Sequence, residues 1–226
     1  MNQKIVYLVL CVVFLGGILA LGAMMFDSEE MEHDEMKDKN LDKMDENTTE
    51  TGTQTATENT MIKFTTNYGE FEVKLYTQKS PITAGNFEEL VEKGFYDGTR
   101  FHRVIDGFMI QGGDPQSKNK SLKTRWGTGG PGYTIEDEFI QGLSNTKFTL
   151  SMANSGPQSG GSQFFINVAD NTFLDWDKQP LQSKHPVFGE VVSGSDIVLE
   201  ISKVDTTQGV DRPIEDVIIE KVVIVQ

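Results

Sequence analysis

Cysteine and histidine are scarce in this 226-residue chain, which holds one cysteine and three histidines. A single cysteine, Cys11, excludes an intramolecular disulfide. Only His102 and His185 follow residue 60, too few and too scattered for a metal site. The G-x-S-x-G turn that carries a nucleophilic serine is missing. The consecutive carboxylates Glu136 to Glu138 would point in different directions, as solvated loop charges do, so neither covalent nor paired-carboxylate catalysis has a clear candidate.

Basic residues are also few, because 20 lysines and arginines face 34 aspartates and glutamates, for a formal charge of −14. Much of the acidic excess lies in residues 27–59, which hold twelve acidic and three basic side chains. No basic stripe is present, so a nucleic-acid partner is not expected. The length suits one domain of ordinary size plus appendages.

A long apolar run precedes the acidic stretch. Residues 5–26 are 22 residues without a charge, enough to span a bilayer as a helix. We predict an uncleaved signal anchor; the alternative is a cleaved signal peptide with its site at Ala20-Leu21-Gly22. Lys4 before the run and the acids after it predict an extracytoplasmic body, anchored to the membrane or secreted after cleavage.

Residues 27–60 have almost no aromatic or branched apolar side chains, which predicts a disordered, self-repelling acidic linker. Met31, His33, Met36 and Met44 lie among its carboxylates and would be the ligands of a metal-buffering tail. No tight repeat holds these four side chains, so tolerated methionines are the preferred interpretation. The chain therefore divides into a membrane or signal segment (1–26), a linker (27–60) and a folded domain (61–226).

From residue 61 the pattern is typical of short strands. Apolar and polar residues alternate at 62–64 and again at 71–75, on either side of a turn, which predicts a hairpin with one buried face. Helices are predicted from the cap at Ser80-Pro81 to Gly94, and from Ser195 to Ile201. Residues 217–225 predict a closing strand. Many short strands with two helices favour an antiparallel barrel or sandwich.

The segment from Phe101 to Asp114, FHRVIDGFMIQGGD, predicts a second hairpin that turns at Asp106-Gly107. It places a permanent cation, Arg103, among apolar side chains. Burying an arginine is costly unless something polar meets it. We therefore expect an internal partner or a ligand at Arg103.

Two strand-and-turn segments, 151–157 and 160–166, add amides and aromatic rings to this surface. Because side chains alternate along a strand, Gln163 and Phe165 share one face, whereas Phe164 and Ile166 share the other. One set is expected to fill the core, and the other is available to a ligand.

The run from Gly127 to Gly132 satisfies the G-x-G-x-x-G pattern of dinucleotide sites. Pro131 and the residues after it do not begin a helix, as such a site requires. The run therefore predicts a loop.

Four segments, FHRVIDGFMIQGGD, SMANSGP, GSQFFI and HPVFGEV, occur in this order and closely resemble the cyclophilin-type peptidyl-prolyl isomerases. The resemblance covers about residues 61 to 226, and four linked motifs are far more specific than any one of them. It implies a mainly β fold, a closed eight-stranded antiparallel barrel capped by two helices, without metal or cofactor. The implied partners are proline-containing polypeptides, such as unfolded or exported proteins, and a monomer is expected.

The resemblance also assigns roles, position by position. The family's catalytic arginine corresponds to Arg103, and the glutamine that supports it corresponds to Gln111. The implied catalytic residues are Arg103, Phe108, Gln111 and His185. The implied substrate-binding residues are Met109, Ala153, Asn154, Gln163, Phe165, Phe173 and Leu174. Within these sets, the proline ring would be held by Phe108, Met109, Phe165, Leu174 and His185. Without the motifs, Phe108 and Phe165 would be interpreted as ordinary core.

An isomerase of this kind rotates an X-Pro peptide bond, whose resonance gives a barrier of about 18 to 20 kcal/mol. No bond is made or broken, so neither a nucleophile nor a general acid is required. In the twisted transition state the prolyl nitrogen regains its lone pair, and a guanidinium aimed at it stabilises that geometry. The alternative is a non-catalytic proline-peptide-binding or chaperone module.

Two positions depart from the family pattern. Phe173 stands where the family often has tryptophan, which keeps an aromatic wall but loses the indole N–H donor. Cyclosporin binding, linked in the family to that tryptophan, is therefore doubtful. The segment from Trp176 to Lys184 is longer than in compact family members and borders the pocket, where it would alter substrate choice.

Overall fold

The computed structural model describes residues 59–179 and 184–225. The predicted membrane segment and nearly all of the predicted linker lie outside these residues. Across the described ranges, no helix combines the length and apolar character that a membrane span requires.

Short strands dominate the described residues, and two α-helices accompany them. The strands are β1 (Met61–Thr66), β2 (Gly69–Leu75), β3 (Arg103–Ile105), β4 (Met109–Gly112), β5 (Thr149–Met152), β6 (Phe164–Asn167), β7 (Val187–Ser193), β8 (Thr206–Thr207), β9 (Arg212–Pro213) and β10 (Ile219–Val225). The α-helices are α1 (Pro81–Glu92) and α2 (Ser195–Ile201), and short 3₁₀ helices occur at Pro115–Lys118, Lys120–Arg125 and Thr172–Leu174. Both predicted α-helices are confirmed.

Eight strands form one sheet in the order β10-β1-β2-β7-β5-β6-β4-β3, while β8 and β9 pair separately. All strand pairs are antiparallel. The end strands β3 and β10 are not paired with each other in this sheet. A bridge between Arg100 and Ile218 links the chain just before each of them. The structure is thus a curled, mainly β half-barrel, and pairing of its end strands does not complete the closed barrel that the resemblance implied.

The first hairpin follows from its alternating sequence. Every second residue of β1 is buried, and Phe64 lies opposite Phe71 in register. Their rings stack at a centroid distance of 4.6 Å. The predicted turn forms between them, where the Thr66 hydroxyl donates to the Gly69 carbonyl at 2.7 Å.

The main core is rich in aromatic rings, and Phe164 of β6 contacts several of them. Its ring centroid lies between 5.4 and 6.0 Å from those of Phe64, Phe87, Tyr96 and Phe101. Phe87 comes from α1, and α2 contributes Val198 and Ile201 to the same core. Both helices therefore bury their apolar faces in one cluster with the sheet.

The start of α1 differs from the prediction in its chemistry. Ser80 is the N-cap residue but its side chain does not cap the helix; its hydroxyl donates to the Val187 carbonyl at 3.4 Å. The free N–H groups of Ile82 and Thr83 donate instead to the carboxylate of Glu138, at 3.3 and 2.9 Å. Glu138 is therefore not a solvated loop charge, because a negative group is stabilised at a helix N-terminus.

Candidate functional site

The β3–β4 hairpin separates core-facing from outward-facing side chains. Arg103 pairs with Gln111 across the two strands, and Ile105 pairs with Met109. Val104, between the two on β3, is buried in the main core. Since side chains alternate along a strand, Arg103 and Gln111 lie side by side on the opposite face.

A second apolar cluster lies on that opposite face, distinct from the main core. Met109, Phe165 and Leu174 are its buried members, and Ile105, Phe108 and Ala153 pack against them. Phe164 and Ile166, the neighbours of Phe165, belong to the main core. The predicted division of β6 into two faces is confirmed.

Aromatic side chains border this second cluster. Phe173 is 53% exposed and stacks on Phe108 with ring centroids 6.0 Å apart. The His185 and Phe165 rings pack in a T-shaped arrangement, with their centroids 5.2 Å apart. The predicted pocket residues are therefore brought together, with an exposed ring at one side of a buried apolar floor.

A hydrogen bond to the backbone orients the His185 ring, and burial favours the neutral imidazole. Its Nδ1 lies 3.0 Å from the Met152 carbonyl oxygen, which accepts only, so Nδ1 carries the proton. Burial lowers the pKa of His185, although this hydrogen bond acts in the opposite direction. The imidazole thus adds an uncharged wall beside Phe165.

Arg103 is half exposed and has an internal polar partner, one of the two alternatives expected for it. Its side chain is 42% exposed, and its Nε lies 3.6 Å from a carboxylate oxygen of Asp211, which is 40% exposed. Val104 faces the main core, so Arg103, its neighbour on β3, lies on the face that points away from the core. An exposed ion pair contributes only about 0–1 kcal/mol. The guanidinium therefore remains free to exchange Asp211 for a ligand.

The buried arginine is Arg100, which sequence reasoning missed. Its side chain is 8% exposed, and its Nε donates to Asp216 at 3.0 Å. The guanidinium also donates to the Ser117 carbonyl and lies 5.2 Å from the centre of the Trp126 ring. These partners are distant in sequence, and no local signal identifies them.

A pair of glutamines joins Arg103's neighbourhood to a second region of the surface. The Gln111 side chain donates to Gln163 Oε1 at 3.1 Å. The Gln163 Nε2 donates in turn to the carbonyls of Gly127 and Gly129, at 3.0 and 2.8 Å. The glycine-rich run is thus a loop, as predicted, and it is attached to the candidate site.

This loop forms one wall of a cleft of about 480 Å³. Four of the predicted site residues line the same cleft, namely Gln111, Ala153, Asn154 and Gln163. Asn154 is oriented by donating to the Lys184 carbonyl at 2.8 Å. The cleft therefore continues the predicted binding surface, although Arg103 and the apolar floor do not line it.

A buried polar network, also missed from the sequence, supports the site from behind. The Asp175 carboxylate accepts from the Asn145 backbone N–H at 2.7 Å and from its side chain at 2.9 Å. Asn145 also donates to the His185 carbonyl at 3.2 Å and accepts from the Ser151 hydroxyl at 2.8 Å. Fully satisfied buried networks rigidify what they hold, here the chain that carries Leu174 and His185.

The network extends to the other side of the apolar floor. Asn171 donates to the Phe108 carbonyl and to Asn167 Oδ1, each at 2.8 Å. Phe108 follows a tight turn at Gly107, so the bond to its carbonyl fixes the backbone that carries the ring. The separate asparagines of this network were the available signal, but asparagine is equally common in loops.

Within the described residues, no group of three or more histidine, cysteine, aspartate or glutamate side chains is placed to hold a metal ion. The methionines and histidine of the acidic linker lie outside these residues. The site thus combines a buried apolar floor, a half-exposed cation on the same face and side-chain amides beside it.

Comparison with known proteins identifies relatives of this chain. The sequence model of the family "Cyclophilin type peptidyl-prolyl cis-trans isomerase/CLD" matches residues 61–224. Peptidyl-prolyl cis-trans isomerase B of Escherichia coli is 44% identical over 171 residues, which cover 73% of this chain and 99% of that protein. A peptidyl-prolyl cis-trans isomerase of Acinetobacter baylyi is 46% identical over 150 residues, 66% of this chain and 75% of the relative.

Solved structures agree with the sequence relatives. A cyclophilin-type peptidyl-prolyl cis-trans isomerase of Cryptosporidium parvum superposes with a TM-score of 0.63 at 30% identity, covering 74% of this chain and 98% of that one. The same protein, crystallised in the presence of the dipeptide Ala-Pro, gives the same score. The family match runs from β1 into β10 and so includes both the sheet and the pocket residues. This chain belongs to the cyclophilin-type peptidyl-prolyl cis-trans isomerase family.

Proposed function

We propose that the folded domain catalyses rotation about X-Pro peptide bonds, with Arg103 stabilising the twisted amide. The observation that carries this proposal is the second apolar cluster, which is separate from the core and has a half-exposed arginine on its own face. Membership of the isomerase family supports the reaction, and the geometry supports the assignment of roles.

The apolar floor receives the proline ring. Met109, Phe165 and Leu174 are already buried. A proline ring that packs on them is therefore stabilised mainly by removal of its own apolar surface from water. Burial of apolar area contributes roughly 25 cal/mol per Å². Binding of the ring holds one side of the peptide bond while the preceding carbonyl rotates.

Arg103 acts on the nitrogen of that bond. Rotation localises the nitrogen lone pair, so a donor placed there is worth more in the transition state than in either planar state. Exchanging Asp211 for this contact costs little, because the exposed pair is weak. Removing a donor that is aimed at developing charge typically costs about 10²- to 10³-fold in rate.

The glutamines and Asn154 serve the substrate backbone. Gln111 lies opposite Arg103 in register and is itself oriented by Gln163. Neutral His185 closes the apolar side without adding a charge that would compete with the guanidinium.

The test is an isomerisation assay of the purified full chain on a proline peptide. We expect Arg103→Ala to lower kcat/KM by about 10²- to 10³-fold, and Lys221→Ala, an exposed cation on β10, to leave it unchanged. An equal rate for Arg103→Ala and the wild type would refute the mechanism. Peptide binding without catalysis by the wild type would favour the non-catalytic binding or chaperone module.

We further propose that the domain works outside the cytoplasm on exported proteins, tethered by residues 5–26. The support is the length of that uncharged run and the acidic stretch after it. The mass of the mature N-terminus distinguishes a retained anchor from a cleaved signal. Protease added to intact cells tests the location. If the domain resists the protease in intact cells but is digested after lysis, the proposed location is wrong.

A further inference from the structure

A buried carboxylate, Asp114, lies outside the set of residues assigned to catalysis. It ends the FHRVIDGFMIQGGD segment and is 0% exposed. One oxygen accepts the backbone N–H of Gln116 at 2.7 Å. The other accepts the backbone N–H groups of Gly127 and Gly129, at 2.5 and 3.2 Å. Hydrogen bonds to a charged group are the stronger kind, so Asp114 organises the start of the glycine-rich loop.

The same two glycines are held from their other edge by the binding surface. Their carbonyls accept from Gln163, which accepts from Gln111. The loop is thus fixed between two side chains: Asp114 accepts from its N–H groups, and Gln163 donates to its carbonyls. Any movement of the loop away from Asp114 changes the orientation of both glutamines.

The fit between Asp114 and the loop leaves no spare room. A Cβ atom added at Gly129 would overlap the Asp114 carboxylate. Gly127 has a φ of 94°, a backbone conformation that glycine adopts without strain. Gly113, with a φ of 86°, would overlap the Ser162 carbonyl if it carried a Cβ. Glycine at these positions therefore allows the backbone to pack closely against polar oxygen atoms; it does not serve to make the loop flexible.

We propose that Asp114 is a positioning residue that sets how the cleft holds the part of a polypeptide substrate beyond the proline ring. The inference rests on the proposed function and deepens it. Asp114 acts through Gly127, Gly129 and Gln163, which line the cleft, while the apolar floor has its own separate support. Its loss therefore affects extended substrates more than short ones.

The decisive variant is Asp114→Asn in the full chain. An asparagine presents one acceptor oxygen and one NH₂ group, so either Gln116 or the two glycines must face a donor instead of an acceptor. We expect kcat/KM for a peptide extended on both sides of the proline to fall about tenfold more than kcat/KM for a blocked dipeptide. A loss of one charge-assisted contact is of this size, and the fall should lie mainly in KM.

Two further variants separate positioning from stability. Asp97→Asn is the matched control, because Asp97 also accepts a backbone N–H, that of Val222 at 3.0 Å, but does not line the cleft. It should leave the ratio of the two substrates unchanged. Gly129→Ala disturbs the same contact from the loop side and should shift the ratio in the same direction as Asp114→Asn.

The outcomes are distinct. Equal losses on both substrates, in step with the folded fraction measured by circular dichroism, would overturn the role of Asp114, as would an unchanged ratio. If the wild type isomerises neither peptide, the proposed function fails, and dissociation constants for the extended peptide then decide. Binding about tenfold weaker in Asp114→Asn supports positioning; equal affinities, or no binding by the wild type, refute it.

Discussion

Phe164 and Phe165 are neighbours on β6 whose substitution should separate core stability from binding. Replacement by leucine keeps much of the volume, which by itself costs less than about 1.5 kcal/mol. Phe164 also loses ring contacts with Phe64, Phe87, Tyr96 and Phe101, each worth about 0.5–1.5 kcal/mol. We expect Phe164→Leu to cost about 2–4 kcal/mol, a value below the plain sum because leucine retains part of each contact.

Phe165→Leu should behave in the opposite way. Its ring contacts His185 in a smaller cluster, so we expect a stability cost of about 1–2 kcal/mol. The flat floor for the proline ring is lost, however, and kcat/KM should fall about tenfold or more.

Urea unfolding and thermal unfolding measure the stability of each variant, and the isomerisation assay measures the activity of the same samples. For a domain of this size each kcal/mol corresponds to about 2–4 °C in Tm, so the two variants should melt several degrees apart. The assignment of the two faces would be wrong if the results were reversed. In that case Phe165→Leu would cause the greater loss of stability, and Phe164→Leu the greater loss of activity.

Three further predictions concern charge and the pocket wall. Replacing Arg100 by alanine should cost about 3 kcal/mol in urea unfolding, because Asp216 loses its buried partner and keeps only exposed Lys120; no loss would refute that assignment. Burial lowers the pKa of His102 from 6.5 to about 4. The unfolded chain therefore binds the proton more readily, and stability should decrease by about 2 kcal/mol from pH 7 to pH 5, a slope that His102→Gln should reduce if the reasoning holds. Phe173→Trp should increase cyclosporin affinity, measured by calorimetry, while kcat/KM changes by no more than a few-fold; unchanged affinity would show that the indole N–H is not the missing element.

Local periodicity accounts for the successful part of the sequence analysis. The alternation along β1 and β2 predicted which residues enter the core, and along β6 it predicted two separate faces, since side chains of a strand alternate strictly. The predicted bounds of α2, Ser195 to Ile201, are those observed, and the end of α1 was predicted from Gly94, whose φ is 62°. Side chains of the four motifs lie together in the structure, because the first motif forms the β3–β4 hairpin and each of the others contributes to one strand of the same sheet.

Burial of charge could not be deduced from the local sequence. Arg103 and Arg100 lie three residues apart, yet Arg103 is half exposed and Arg100 is enclosed. What distinguishes them is position in the sheet: Arg103 lies on the face of β3 that points away from the core, while Arg100 meets Asp216 and Trp126 from later in the chain. Neither fact is encoded in the residues that flank them.

Strand periodicity was thus sufficient for the mainly β fold class, and the resemblance of the four motifs supplied the family and the expected residues of the apolar floor, because both depend on neighbours in the chain. The tertiary structure alone decided that Glu138 caps α1, that Asn145 supports His185 from behind, and that Asp114 holds a loop that becomes a wall of the cleft. Each of these is a polar group satisfied by a backbone far away in sequence. Such a partner exists only once the sheet has curled and brought the two segments within hydrogen-bonding distance.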